Sequence, residues 1–222
     1  MDLLFEAREK CYRCYRPMSS CMCGYVKTVD TKSKFVILMH PKEFKKIKNG
    51  TGHLTHLSLG NSELYISIDF SEHKAVNALI DDPSNSCYLL YPSKKSIPLN
   101  DNSIAEEGKR RVVFILDATW DCSKKMLRLS KNLQALPHIS FEHNKTSQFE
   151  IKEQPAVYCL STIESTLCVL ELLSKNGDET IEGKGLEMFL NPFKAMIAYQ
   201  QSCIDETGSS YKNSVRFKKR PL

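Results

Sequence analysis

An acid, a hydroxyl and an indole lie together at the end of an apolar run in the middle of the chain. Residues 112–116 are apolar and rich in β-branched types, which is typical of a strand buried on both faces of a parallel sheet. The run ends in Asp117-Ala118-Thr119-Trp120, and a helical apolar pattern follows. Ligands of open α/β sheets bind beyond such strand ends, so Asp117, Thr119 and Trp120 form a candidate site. The alternative is that Asp117 or Asp121 only caps the helix while Trp120 packs in the core.

A second chemical motif lies near the amino terminus. The pattern C-x2-C-x6-C-x-C comprises Cys11, Cys14, Cys21 and Cys23. Four thiolates brought together by tight turns suit a tetrahedral Zn²⁺ site, and a metal would let so short a segment fold without its own core. The spacings differ from the common iron–sulfur runs, which makes a cluster less favoured. Four reduced cysteines without a ligand are the remaining alternative.

Residues 35–40 form another buried-strand pattern, which runs into a basic loop and then a short helix. His40 and Glu43 follow this strand and are site candidates, although a buried histidine beside a capping acid explains them equally well. The loop ends in Gly50-Thr51-Gly52, and glycines before a helix suit phosphate or nucleotide binding through backbone N–H groups. The loop is not a P-loop, because the glycine–Lys–Ser/Thr order of that motif is absent.

Strands and helices alternate along the 222 residues, which predicts an α/β fold with a mainly parallel sheet and helices on both faces. Further strands are expected at residues 64–68, 87–93, 138–141 and 156–160, and helices at 74–80, after Ser161 and at 186–203. Three strands end in polar turns at residues 91–93, 117–120 and 161–162. If these ends converge, they form one pocket for a small polar cofactor.

Composition narrows the class of protein. No apolar window is long enough to span a bilayer and residues 1–10 lack the apolar core of a signal peptide, so we expect a soluble, cytoplasmic protein without a membrane partner. The net charge is +5, with basic clusters at residues 42–48, 109–111 and 216–220. These clusters suit RNA, although such runs are commonly only solvated surface.

Taken together and in order, these blocks resemble the DTW-domain family. The resemblance rests on Asp117-Ala-Thr-Trp120, on the cysteine motif with Arg13, Arg16 and Pro17, on His40-Pro-Lys-Glu43 with Asn49 and Thr51, on Tyr91-Pro-Ser93 and on Ser161-Thr-Ile-Glu164. It covers nearly the whole chain. In one departure, Gly50 separates Asn49 from Thr51, which the family usually has adjacent, so the roles of these two residues are in doubt.

The resemblance implies an enzyme that transfers the 3-amino-3-carboxypropyl group of S-adenosylmethionine to N3 of a tRNA uridine, with variable-loop position 47 expected by analogy. It also implies a SPOUT-related fold with a carboxy-terminal knot. Monomer and homodimer remain equally open. The expected units are a zinc knuckle at residues 1–30, a SPOUT-like domain at 31–205 and a basic tail at 206–222.

The site residues implied by the resemblance fall into three groups besides the four cysteine ligands. Asp117 is the catalytic candidate, either as general base or as a group that orients the uridine or the donor's amino group. The donor is expected to contact Leu90, Tyr91, Pro92, Ser93, Leu116, Ala118, Thr119, Ser161 and Thr162. The RNA is expected to contact Arg13, Arg16, His40, Glu43, Asn49, Thr51 and Trp120. Trp120 is expected to stack on the uracil or the adenine, or to belong to the core.

Two other functions fit the same residues. One is a SPOUT-like RNA methyltransferase that uses the same donor. The other is a zinc-containing RNA-binding protein without catalysis.

Overall fold

The computed structural model describes residues 9–45, 50–144, 147–148 and 159–207. In this part of the chain, parallel strands pair into one sheet in the order β2-β1-β5-β3-β6-β4. The strands are β1 (Lys34–Met39), β2 (Ser62–Ile66), β3 (Asn85–Leu90), β4 (Ile97–Pro98), β5 (Arg110–Asp117) and β6 (His138–Ser140). The expectation of a parallel α/β fold is confirmed.

The helices lie between these strands in the sequence or after the last strand. They are α1 (Pro41–Lys45), α2 (Gly52–Ser58), α3 (Lys74–Asp81), α4 (Trp120–Leu129), α5 (Lys131–Gln134), α6 (Thr162–Lys175), α7 (Gly185–Met188) and α8 (Asn191–Thr207). Short 3-10 turns form at Met18–Ser20 and Cys23–Tyr25. None of the described helices has both the length and the apolar character needed to cross a membrane.

Helices cover both faces of the sheet because successive strand side chains point to opposite sides. Val113 and Ile115 of β5 belong to a core cluster with residues of α2, α6 and α8. Val112 and Phe114 belong to a second cluster with residues of α3, α4 and α5. All four side chains are buried, which explains why this strand reads as a continuous apolar run.

The centre of the sheet contains the point where the connections change sides. β1 and β5 are neighbours, with Met39 paired to Asp117 at their carboxyl ends. After β1 the chain passes through α2, which packs on one face, whereas after β5 it passes through α4, which packs on the other. Ligands of open α/β sheets bind in the crevice that such a switch creates. The topology therefore places Asp117 at the position where a ligand is expected to bind.

The amino-terminal segment packs on the rest of the fold. Met22 belongs to the core cluster that includes Met196 of α8. A bridge joins Lys10 to Pro17 within the segment, and a second bridge joins Val29 to Leu59. The cysteine segment thus shares its core with the strands and helices.

The carboxy-terminal helix differs from the sequence prediction. We expected one helix over residues 186–203, but the structure divides it into α7 and α8. Pro192 explains the break, since its ring would collide with the carbonyl of Met188 and it has no N–H to donate. α7 ends at Met188, and Pro192 lies in the first turn of α8, where proline is tolerated.

Other differences concern small elements and strand limits. The two-residue strand β4 was not predicted, and the remaining strands differ from the predictions by a few residues at their ends. The predicted strand at 156–160 lies mostly outside the described residues, as does the basic tail after residue 207.

Candidate active site

Asp117 is the last residue of β5, and its side chain is only 5% exposed. Its carbonyl oxygen accepts a hydrogen bond of 3.0 Å from the N–H of His40. The acid predicted to follow the central strand therefore lies at the carboxyl edge of the sheet, at the switch between β1 and β5.

Two helices begin beside the Asp117 carboxylate. Thr162, the first residue of α6, donates its hydroxyl hydrogen to Asp117 Oδ1 at 2.6 Å. Gly52, the first residue of α2, lies so close that a Cβ atom there would be 2.6 Å from Asp117 Cγ and 2.8 Å from Met39 Cε. A side chain at position 52 would therefore displace the carboxylate. Asp117 is thus hydrogen-bonded to α6, and the N-cap residue of α4 is Thr119.

The start of α6 is fixed by a second carboxylate. Glu164 accepts hydrogen bonds from the Ser161 N–H at 2.8 Å and from the Ser161 hydroxyl at 2.6 Å. It also accepts one from the Ser147 hydroxyl at 2.9 Å. The capping box predicted here is confirmed. Because Glu164 orients the first turn of α6, it also fixes the position from which Thr162 reaches Asp117.

Tyr91 and Trp120 form a stacked aromatic pair near this edge. Their ring centroids are 5.7 Å apart and their planes differ by 20°. Trp120 is 47% exposed, so the interpretation of Trp120 as a core residue is wrong. His138 meets the Tyr91 ring edge-on at 5.8 Å, and burial lowers the pKa of His138. The pair presents an aromatic surface to solvent directly after the Asp117 turn.

The three polar turns therefore meet, which is the condition that the sequence analysis set for a shared site. The Thr162–Asp117 hydrogen bond joins the turn at residues 161–162 to that at 117–120, and the Tyr91–Trp120 stack joins the latter to the turn at 91–93. Of the other expected donor contacts, Leu90, Leu116 and Ala118 are half-buried, while Pro92, Ser93 and Thr119 are exposed.

The family block after β1 lies in the interior. His40 is 4% exposed, and its Nδ1 accepts a hydrogen bond of 3.0 Å from the N–H of Lys42. Glu43 and Thr51 are also buried, and the Thr51 carbonyl accepts hydrogen bonds from the N–H and hydroxyl of Thr55. The geometry of His40 fits the interpretation of a buried, hydrogen-bonded histidine. Asn49 lies outside the described residues.

The four cysteines of the amino-terminal motif converge as a zinc site requires. Their sulfur atoms all lie within 4.8 Å of one another, with 3.7 Å between Cys11 and Cys23 and 3.8 Å between Cys14 and Cys21. A tetrahedral site with Zn–S distances of about 2.3 Å needs S···S distances of about 3.8 Å. The cluster therefore fits Zn²⁺.

The electrostatics of this cluster also favour a metal. Hydrogen bonds from the backbone of Cys14 and Arg13 lower the pKa of Cys11 to about 6, which favours the thiolate form. Burial raises the pKa of Cys23. Thiolates are the ligand form of cysteine, and a bound cation would compensate for burying them.

We expected Arg16 to contact RNA, but its side chain is buried. The side chain is 1% exposed, and its Nη2 donates hydrogen bonds to the Gly50 carbonyl at 2.8 Å and to Met196 Sδ at 3.4 Å. The guanidinium thus connects the cysteine segment to the loop before α2 and to α8. Arg13, by contrast, is exposed.

Two residues beside the site were missed by the sequence reasoning. Gly52 was noted only as part of a possible phosphate loop, and its close contact with Asp117 depends on tertiary packing. His53 is 6% exposed, and its ring packs against the rings of both Tyr15 and Phe44, with centroid distances of 5.2 and 5.5 Å. Burial, with a smaller effect of Arg16, lowers the pKa of His53 to about 4. No local sequence pattern signals either contact.

Comparison with known proteins gives three informative relatives. The mouse protein named tRNA-uridine aminocarboxypropyltransferase 2 is 25% identical over 198 residues, which cover 88% of this chain and 64% of the relative. The Macaca fascicularis protein of that name is 24% identical over 200 residues, with the same coverage. The Drosophila melanogaster protein of that name is 30% identical over 173 residues, which cover 75% of this chain and 67% of the relative.

The chain thus spans slightly less than two thirds of the length of the two mammalian relatives. No solved structure matches it. The model of the DTW domain matches residues 8–201, a span that includes the cysteine motif, the Asp117 turn and α6. On this match, the chain belongs to the DTW-domain family.

Proposed function

We propose that this chain transfers the 3-amino-3-carboxypropyl group of S-adenosylmethionine to N3 of a uridine in tRNA. The observation that carries the proposal is the position of Asp117: the acid of the DTW segment lies at the switch point of the sheet, hydrogen-bonded to Thr162 of another family block. The relatives named tRNA-uridine aminocarboxypropyltransferase 2 support this choice of reaction.

The chemistry requires one proton acceptor. N3 of uridine carries a proton and is a poor nucleophile until that proton is lost. In the proposed reaction Asp117 takes the proton, N3 forms a bond to the γ-carbon of the methionine part, and the bond from that carbon to the sulfonium sulfur breaks. The electron pair of the broken bond neutralises the sulfonium, and methylthioadenosine leaves.

The choice between alkyl transfer and methyl transfer is geometrical. Every carbon next to a sulfonium is electrophilic, so the product depends on which carbon faces the nucleophile. We propose that the turns at residues 90–93, 116–119 and 161–162 hold the donor. A carboxylate and two aromatic rings, those of Asp117, Tyr91 and Trp120, suit a cationic sulfonium. Trp120 is the proposed stacking partner for a base.

We propose that the four cysteines hold one structural Zn²⁺, whose part is to fix the amino-terminal segment against the domain. Arg13, exposed beside the cluster, is the proposed phosphate contact. The roles of His40, Glu43, Asn49 and Thr51 in substrate binding stay predictions. So do the relation to SPOUT folds with its knot, the domain limits and uridine position 47.

The proposal is tested by nucleoside analysis. Unmodified tRNA transcripts are incubated with the protein and S-adenosylmethionine, digested and analysed by mass spectrometry. We expect acp³-uridine together with methylthioadenosine, and fragment mapping then locates the modified residue. A methylated base with S-adenosylhomocysteine would identify an RNA methyltransferase, and tRNA binding without either product would identify a non-catalytic binder.

A further inference from the structure

The exposed side of α4 carries basic side chains that are aligned with Trp120. Trp120, Lys124 and Arg128 follow one another at intervals of four residues, so they lie along one side of the helix over about 12 Å. Lys125 on the same helix and Lys131 at the start of α5 add two more positive charges, and all five side chains are exposed. We call Trp120, Lys124, Lys125, Arg128 and Lys131 the α4 basic face.

Within the described part of the chain, these positive charges form no ion pairs. Among the described residues, no carboxylate forms an ion pair with Lys124, Lys125 or Arg128, whereas Lys34 pairs with Glu63 at 2.7 Å. Asp121 is the single acid on α4. The α4 basic face is therefore a concentration of free positive charge, which favours a polyanionic partner.

The position of this face ties it to the candidate active site. Its first member, Trp120, stacks on Tyr91 and follows Asp117 by three residues. Lys124 Nζ lies 5.9 Å from the centroid of the Trp120 ring, so the first cation adjoins the aromatic surface. An extended ligand that reaches Asp117 over Trp120 would continue along Lys124 and Arg128.

We propose that the α4 basic face binds the phosphate backbone of the RNA strand that carries the target uridine. The pairing of aromatic rings with lysine and arginine is the combination that binds unpaired RNA, in which bases stack on rings while phosphates contact cations. The inference rests on the proposed function for the identity of the RNA. It assigns substrate positioning to residues of α4 that lie outside the family motifs.

The test compares binding of an unmodified tRNA transcript to wild-type protein and to Lys124→Gln/Arg128→Gln. Each lost phosphate contact lowers the steepness of log K against log salt by roughly 0.7–0.9, so the double variant should lose about 1.4–1.8 from the slope. At about 0.1 M salt the Kd should rise at least about tenfold.

The matched control is Lys184→Gln/Lys194→Gln, which removes two exposed lysines near α7 and α8. It should bind tRNA like the wild type with an unchanged slope. An unchanged Kd and slope for the α4 variant, or an equal loss in the control, would overturn the inference. Because the readout is binding, a wild-type protein that binds tRNA but makes no acp³-uridine would refute the proposed function while leaving this test intact.

Discussion

Thr162 donates its hydroxyl hydrogen to Asp117 Oδ1 at 2.6 Å, across 45 positions of the sequence. The bond joins the first turn of α6 to the carboxyl end of β5, and Glu164 fixes the turn from which it comes. The orientation of the candidate catalytic carboxylate thus depends on a helix that starts far along the chain.

Replacement of Asp117 by Asn tests the role of the carboxylate directly. Asn retains the shape and can still accept the Thr162 hydrogen bond, but it cannot take a proton from N3. General base catalysis contributes roughly 10²–10⁴-fold, so kcat should fall by at least about 100-fold while the Kd for tRNA stays near that of the wild type. Turnover close to that of the wild type would exclude Asp117 as the base.

Replacement of Thr162 by Val removes the hydrogen bond while keeping the volume. The buried carboxylate then loses one donor, which costs about 1–3 kcal/mol in stability and leaves its orientation less defined. We expect kcat to fall by about tenfold or more with little change in tRNA binding. Thr162→Ser is the control, because it retains the hydroxyl and should retain most activity. Equal losses of activity in both variants would show that the hydroxyl group of residue 162 is not required for turnover.

A methyl group at position 52 should disturb the same carboxylate. The Cβ of Gly52→Ala would overlap Asp117 and Met39, and overpacking of this kind costs about 1–3 kcal/mol. We expect lower stability by denaturant unfolding and reduced activity at saturating substrates. Gly24→Ala is the matched control, since a Cβ there meets nothing within 4 Å. A Gly52→Ala protein as active as the control would show that the close contact is not required.

The cysteine cluster should hold one zinc ion per chain. Atomic absorption on purified protein measures the stoichiometry, and Cys14→Ser should lower it to near zero and reduce the melting temperature. Cys122→Ser, which changes a cysteine of α4 outside the cluster, should keep the full zinc content. A metal content unaffected by Cys14→Ser would contradict the assignment.

His53 should make stability depend on pH. Burial lowers its pKa to about 4 in the folded protein, against about 6.5 in the unfolded chain. Between these values the unfolded chain binds a proton that the fold does not, so stability is lost as pH falls from about 6.5 to 4. The contribution is at most about 3 kcal/mol.

The His53→Phe variant separates this contribution from loss of zinc at low pH, which both proteins share. Phe fits beside Tyr15 and Phe44, and His53 Nε2 has no hydrogen-bond partner among the described residues. Denaturant unfolding at pH 7 and pH 5 should show a smaller drop for the variant. Equal drops would assign the pH dependence to other groups.

Local pattern was sufficient to predict the parts of the fold that are buried on both sides. The central strand, the acid at its end and the capping box at Ser161 and Glu164 all follow from short-range apolar or capping signals. The general geometry of parallel sheets allowed the turns to converge, and the Thr162–Asp117 hydrogen bond and the Tyr91–Trp120 stack show that they do. The division at Pro192 was equally readable from a local rule, the exclusion of proline from helix interiors, but was overlooked.

What the sequence did not show depends on packing between distant segments. Arg16 reads as an exposed basic residue of the cysteine motif, yet its guanidinium is buried against Gly50 and Met196. The contacts of Gly52 and His53 arise only once α2 is packed on the sheet and the cysteine segment. A single aromatic residue after a turn fits both core and surface, so the sequence alone does not place Trp120, and its stacking on Tyr91 depends on the neighbouring strand.

The most direct test of the proposed reaction uses S-adenosylmethionine labelled with ¹⁴C in its carboxyl carbon and with tritium in its methyl group. After incubation with unmodified tRNA, aminocarboxypropyl transfer predicts ¹⁴C in the tRNA and tritium in free methylthioadenosine, with the ¹⁴C incorporation strongly reduced for Asp117→Asn. Tritium in the tRNA without ¹⁴C would contradict the account.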